Sequence, residues 1–200
     1  MELQHVNVKL FAKNAEEVDL EALIPVFHRW IQNQANGELL LDVADYRHVH
    51  AGPGVVLIGH QGNYSLDNTG GRLGVRYNRK AVLKGADQDR LVQATQAALA
   101  ACRRLEIEPS LGGRIQFNGR EIEVFINDRL LAPNTPETRT AADSEFSTFF
   151  SMLFGDIEYA VSYPQDPRSL FSVHAQTSQP IDTTALLNSL DSMAPAFCQR

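Results

Sequence analysis

The sequence predicts an α+β fold, a mainly antiparallel twisted sheet with helices packed on one of its faces. Three observations carry this expectation. Strand-like segments come in consecutive groups joined by short turns, where a parallel sheet would alternate single strands with helices. Two long segments, 86–105 and 136–154, place apolar residues at helical spacing. A chain of 200 residues, 44% hydrophobic and 21% charged, is large enough to bury one sizeable core. The expected order is β-α-β-β-β-α-β-β-α-β-β-α, in one domain over 1–200 or in two closely fused halves of about 1–105 and 106–200.

The first strand is read at 5–12, where Val6, Val8 and Leu10 alternate with His5, Asn7 and Lys9. A helix over 20–34 follows from Leu20, Leu23, Ile24, Phe27, Trp30 and Ile31. Pro25 delays its regular part to about Ile24, because proline lacks the N–H and clashes one turn back. Three strands are then expected at 38–47, 54–61 and 72–79, separated by the turn-forming AGPG and DNTGG. The segment from Ala86 to Leu105 is the clearest helix, with Asp87 as its cap and Leu91, Ala94, Ala98 and Cys102 on one face. Asn118-Gly119 predicts a hairpin between RIQF and REIEVFI, since a type I′ turn needs positive φ at both central positions. Thr135-Pro136 reads as an N-cap and first helical residue, opening a helix that Gly155 ends, with Ala142, Phe146, Phe149, Phe150 and Leu153 as its stripe. Two strands, 157–163 and 169–175, and a helix over 183–190 complete the chain.

Composition narrows the function classes. The formal net charge of −6 argues against nucleic acid, and no apolar run approaches a membrane span. The N-terminus lacks the basic start of a signal peptide, so the cytoplasm is the expected location. Two cysteines, Cys102 and Cys198, indicate neither a disulfide framework nor a cysteine zinc site. Acids outnumber bases 9 to 4 over residues 1–71 and 8 to 3 over 130–200, while 72–129 carries 7 acids and 11 bases. A basic middle between acidic ends fits an anion site, a contact surface, or charge pairing within the fold.

The richest block is 39–80. Treated as a three-stranded meander, it sets odd-numbered residues (Leu39, Leu41, Val43, Val55, Leu57, Leu73, Val75, Tyr77) on the core face. Even-numbered ones take the other face, where Asp42, His60, Arg76 and Asn78 cluster beside Tyr46, Tyr64 and the small Gly62 and Gly74. An antiparallel sheet commonly turns one face to solvent, which is the plain account of this cluster. The functional account makes it a binding surface, with Arg76, Asn78, Tyr64 and Tyr46 as ligand contacts. A sharper version makes His60 a general base oriented by Asp42, with Arg76 clamping an anionic metabolite. His48-x-His50 and His60 invite a metal reading, but the register separates His60 from His48 by roughly 13 Å along the strand, too far to share an ion. No cofactor and no metal is expected. The glycines of AGPGVV and NTGGRLG do not lead from a strand into a helix, so neither forms a phosphate cradle. The leading expectation is a ligand-binding or protein-interaction domain, with self-association or a small anionic ligand as partner; the alternative is the small His60/Asp42 enzyme.

Overall fold

The computed structural model describes residues 1–191. Its four helices are α1 (Leu23–Gln32), α2 (Asp87–Glu106), α3 (Pro136–Phe154) and α4 (Thr183–Asp191). Eight strands form a single sheet in the order β2-β3-β4-β5-β1-β6-β8-β7, every neighbouring pair antiparallel. They are β1 (Val6–Ala12), β2 (Leu40–Tyr46), β3 (Gly54–Gly59), β4 (Gly62–Asp67), β5 (Gly74–Arg79), β6 (Phe117–Ile126), β7 (Tyr159–Ser162) and β8 (Phe171–Thr177). The expected class is the observed one, with two differences in element order.

The first difference is a strand. Residues 54–67 form a hairpin whose tip is His60-Gln61, so β4 lies between the two strands expected to be neighbours. The second is the Asn118-Gly119 turn, which does not form: β6 continues through both residues as one strand, with a shift of register against β1 between Leu10 and Ala12. Gly119 is needed there for close approach, since a Cβ on it would fall 2.4 Å from the Ile181 carbonyl oxygen.

The core lies between the helices and one sheet face. Alternate residues Val6, Val8 and Leu10 of β1, Val55 and Leu57 of β3, Tyr64 and Leu66 of β4, Val75 and Tyr77 of β5, Ile122 and Val124 of β6 and Val173 of β8 are all buried on that face. Trp30, Leu91, Ala98 and Phe150 meet them from the helices, as the helical spacing predicted. Leu39 and Leu41 depart from expectation. A bulge between Leu40 and Asp42 rotates the edge strand, burying Leu40 and leaving Leu39 and Leu41 about half exposed. Val43 is half-buried.

Helix ends follow local chemistry. α2 starts after Ala86, not at Asp87 as cap: the Asp89 carboxylate accepts the Ala86 N–H at 2.7 Å, and Asp87 accepts from Leu3 N–H and Arg90. Thr135 caps α3 through Thr138 N–H, with Pro136 in its first turn, and Gly155 ends it at φ 59°. Cys102 is wholly buried, and burial raises its thiol pKa, so it behaves as a small core residue. Cys198 lies outside the described residues. Among the described residues no helix is long and apolar enough to cross a membrane.

Leu57, on β3, is fully buried in this layer. Leu57→Ala is expected to lower unfolding free energy by about 2–5 kcal/mol, the lost transfer energy plus a cavity, read as a fall in the urea midpoint at unchanged slope.

Candidate functional site

The opposite sheet face carries a patterned set of polar side chains. Its registers form cross-strand rows. One runs Ile58, Asn63, Asn78, Asn7, Phe125, Ser172; the next runs Val56, Ser65, Arg76, Lys9, Glu123, His174. A third contains Asp67, Gly74 and Phe11. Gly74 is required here because a Cβ would sit 2.3 Å from the Leu10 carbonyl oxygen.

The middle of this face is buried although, among the described residues, the helices pack on the other face. Lys9 and Asp67 are each about 2% exposed, and their side chains form an ion pair at 2.5 Å. Asp67 also accepts from the Thr69 N–H and hydroxyl. Burial holds the Lys9 ammonium below its ordinary pKa, against the raising pull of Asp67. Arg76 reaches Asp67 only at 3.9 Å. Its guanidinium instead lies 4.6 Å from the centre of the Phe125 ring. Arg76 is on β5 and Phe125 on β6, two strand spacings or roughly 9–10 Å apart across β1. Their contact therefore arches over β1, the strand on which Asn7 is fully buried.

Beneath the arch hydrogen bonding is incomplete. Both side-chain polar atoms of Asn7, Oδ1 of Asn63 and Nε of Arg76 are buried without a hydrogen-bond partner. Asn7 is 0% exposed. A buried polar side chain left without a partner costs about 1–3 kcal/mol of desolvation. By contrast the β6–β8 side of the face is well paired. Glu121 accepts from Arg72 at 2.6 Å and lies 2.6 Å from His174 Nε2, while Glu123 accepts from the Ser172 hydroxyl. Burial raises the Glu121 pKa, but the bonds from Arg72 and His174 outweigh it and hold the carboxyl below its usual range. Arg72 also stacks 3.8 Å over Phe11.

The residues singled out in the sequence do not all meet. Arg76 and Asn78 share the polar face, two residues apart on β5. Tyr64 is on the helix-facing side, 3% exposed and tilted against Tyr77, because the unanticipated β4 reverses which of its residues face the core. Tyr46 is exposed at the end of edge strand β2, tilted against His48. His60 is exposed in the β3–β4 turn, its N–H donating to Leu39 O. Asp42 is exposed on β2 and accepts the Val43 N–H. No hydrogen bond or ion pair among the described residues joins His60 to Asp42 or Arg76. Arg76 faces Ser65, three residues beyond Gly62 and so roughly 10 Å along β4 from the turn. The general-base pair with its arginine clamp is therefore not assembled. In the loop after β6, Asp128 caps the Leu130 and Leu131 N–H groups, a turn role.

What the structure adds to Arg76 and Asn78 is Asn7, Lys9, Asn63, Asp67 and Phe125. The set offers two unused donors, two unused acceptors and two cations that share one close carboxylate, an arrangement suited to holding a polar molecule and lacking a nucleophile with an adjacent base. No family model, curated protein or solved structure matches this chain, so the reading rests on this geometry alone.

Proposed function

We propose that this chain is a ligand-binding domain whose site is the polar sheet face around Asn7, Asn63, Arg76 and Asn78. The observation that supports it is the cluster of buried, unpartnered polar atoms beneath the Arg76–Phe125 arch. Arg76 Nε and Asn7 Nδ2 are unused donors, and the Asn7 and Asn63 Oδ1 atoms are unused acceptors. With Lys9 held tightly by Asp67, Arg76, 3.9 Å from the same carboxylate, supplies the more loosely paired positive charge. The complement is a small anion with a hydrogen-bond donor beside its charge, as in α-hydroxy and α-amino acids: the carboxylate on Arg76 and Asn7 Nδ2, the O–H or N–H on the asparagine oxygens. Access requires the arch to swing aside. A cation–π contact at a partly exposed site is worth only about 0.5–1 kcal/mol, so opening is cheap.

Thermal-shift screening against hydroxy and amino acids tests this, because a ligand at about 100 times its Kd stabilises by about 2.7 kcal/mol. The hit is expected to vanish in Arg76→Ala and to persist in Arg104→Ala, whose side chain lies by Trp30 on α1. Asn7→Leu is more discriminating. It removes two unpartnered polar atoms at similar volume, so the unliganded protein should gain about 1–3 kcal/mol while binding is lost, stability rising as function falls. Binding that survives both Arg76→Ala and Asn7→Leu, or no binding by any member of either class at millimolar concentration, rejects the reading.

A further inference from the structure

On the other side of the same strands a cavity of about 280 Å³ opens between α2 and the start of the β-meander, walled by Glu38, Gln61, Tyr64, Tyr77, Gln93 and Ala97. Its polar groups are unequal. Gln93 Nε2 donates to the Tyr77 hydroxyl at 3.3 Å, which leaves Gln93 Oε1 buried with no partner. Glu38 holds only a long bond, 3.3 Å, from the Gln61 backbone N–H. Gln61 Oε1 is taken by Arg79, whose guanidinium also reaches the Tyr77 hydroxyl although it does not line the cavity. The buried unpartnered atom in the wall is therefore an acceptor, Gln93 Oε1, and among the described residues Glu38 is the one charged residue lining it. The rest of the wall is Gln96, whose Nε2 donates to Asp191, the two tyrosines tilted against each other, and the small Gly37, Ala97 and Ala100.

The chain makes room for this arrangement. A Cβ on Gly62 would fall 2.6 Å from the Tyr77 hydroxyl, and one on Gly59 would fall 3.1 Å from the Glu38 carboxylate. Burial raises the Tyr77 pKa and outweighs the lowering effect of the bonds from Gln93 and Arg79, so the phenol remains neutral.

We propose that this cavity is a second binding site, for a small primary alkylammonium ion. Its N–H donors meet Glu38 and Gln93 Oε1, its charge lies beside the tyrosine rings, and its short alkyl chain packs on Ala97 and Ala100. An alcohol of the same length lacks the charge, and a carboxylate is repelled by Glu38. The site shares no side chain with the polar face and does not depend on its reading.

Calorimetric titration of the whole chain with n-butylammonium, 1-butanol and butyrate at neutral pH tests it. Butylammonium is expected to bind, and the other two to give no heat of binding. Glu38→Gln should weaken butylammonium by roughly tenfold or more, the loss typical of one charged hydrogen-bond partner. Gln93→Leu should weaken it as well, and serves alone if Glu38→Gln fails to fold. Arg76→Ala should leave it unchanged, which separates this site from the first. The proposal is overturned if no butylammonium binds at millimolar concentration, if 1-butanol binds as tightly, or if binding persists undiminished in a folded Glu38→Gln or Gln93→Leu variant.

Discussion

Asp67→Ala is expected to lower unfolding free energy by about 3–5 kcal/mol, because it leaves the Lys9 ammonium buried and uncompensated. Lys9 is about 2% exposed and within 4 Å has Asp67 as its carboxylate partner. Its one other hydrogen bond is to Thr69 O at 3.3 Å, and Asp67 also fixes the Thr69 backbone, so both supports weaken together. The paired replacement Lys9→Met with Asp67→Leu should behave differently. It removes both desolvation penalties at once, and replacing a buried ion pair with apolar residues is often neutral or stabilising by about 1–4 kcal/mol. Chemical denaturation of the single and double variants measures both. The direction of the Lys9 shift adds a pH signature. Its pKa is lowered in the folded state, so folding disfavours the charged form. The penalty is fully present below the folded pKa and is relieved as pH rises from there toward the unfolded value of about 10.4. The wild-type protein should therefore gain stability from this group over that alkaline window, and the double variant should not. Equal losses in Asp67→Ala and the double variant would show that Lys9 is not held by this partner.

Phe150→Ala should be comparably severe, about 3–5 kcal/mol. Phe150 is 0% exposed and has ring partners in Phe146, Phe149, Phe154 and Tyr159, with centroid distances of 5.3 to 5.9 Å. Aromatic pairs add about 0.5–1.5 kcal/mol beyond area burial, and this residue is the hub through which α3 grips the β7 edge. At this chain length the loss corresponds to a fall in melting temperature of roughly 6–20 °C. Phe150→Leu, which keeps most of the volume, should recover a large part of it. A fall of less than about 3 °C for the alanine variant would show that the cluster collapses to fill the space.

The core was legible in the sequence because its signal is local. Alternation in β1, β3 and β5 and the helical stripes of α2 and α3 name the buried residues directly. The polar face was legible in part, for a reason of parity. Observed partners sum to 121 between β3 and β4 and to 141 between β4 and β5. Two odd offsets cancel, so missing β4 left Arg76 and Asn78 on the correct side while placing Tyr64 on the wrong one. The alternation of Tyr64 and Leu66 with Asn63 and Ser65 was the available sign of that strand. The bulge at Leu40 has no comparable local mark, which is why Leu41 was misassigned to the core. Lys9 and Asn7 stood out as the polar positions of β1, but their place in the site depends on β1 lying between β5 and β6. Those pairings join residues about 70 and 115 positions apart, and no local pattern encodes them.

That central position of β1 also orders events in time. It is the earliest of these strands to be synthesised, yet its second hydrogen-bonded edge is supplied only when 117–126 emerge. Until then a nascent chain holding the β2–β5 meander and β1 exposes one bare edge, open to strand exchange between neighbouring chains. Completion therefore depends on closing a loop of more than a hundred residues, a non-local step of the kind that slows folding. A helper that shields a growing edge would act on this chain in the interval between the appearance of α2 and the docking of β6.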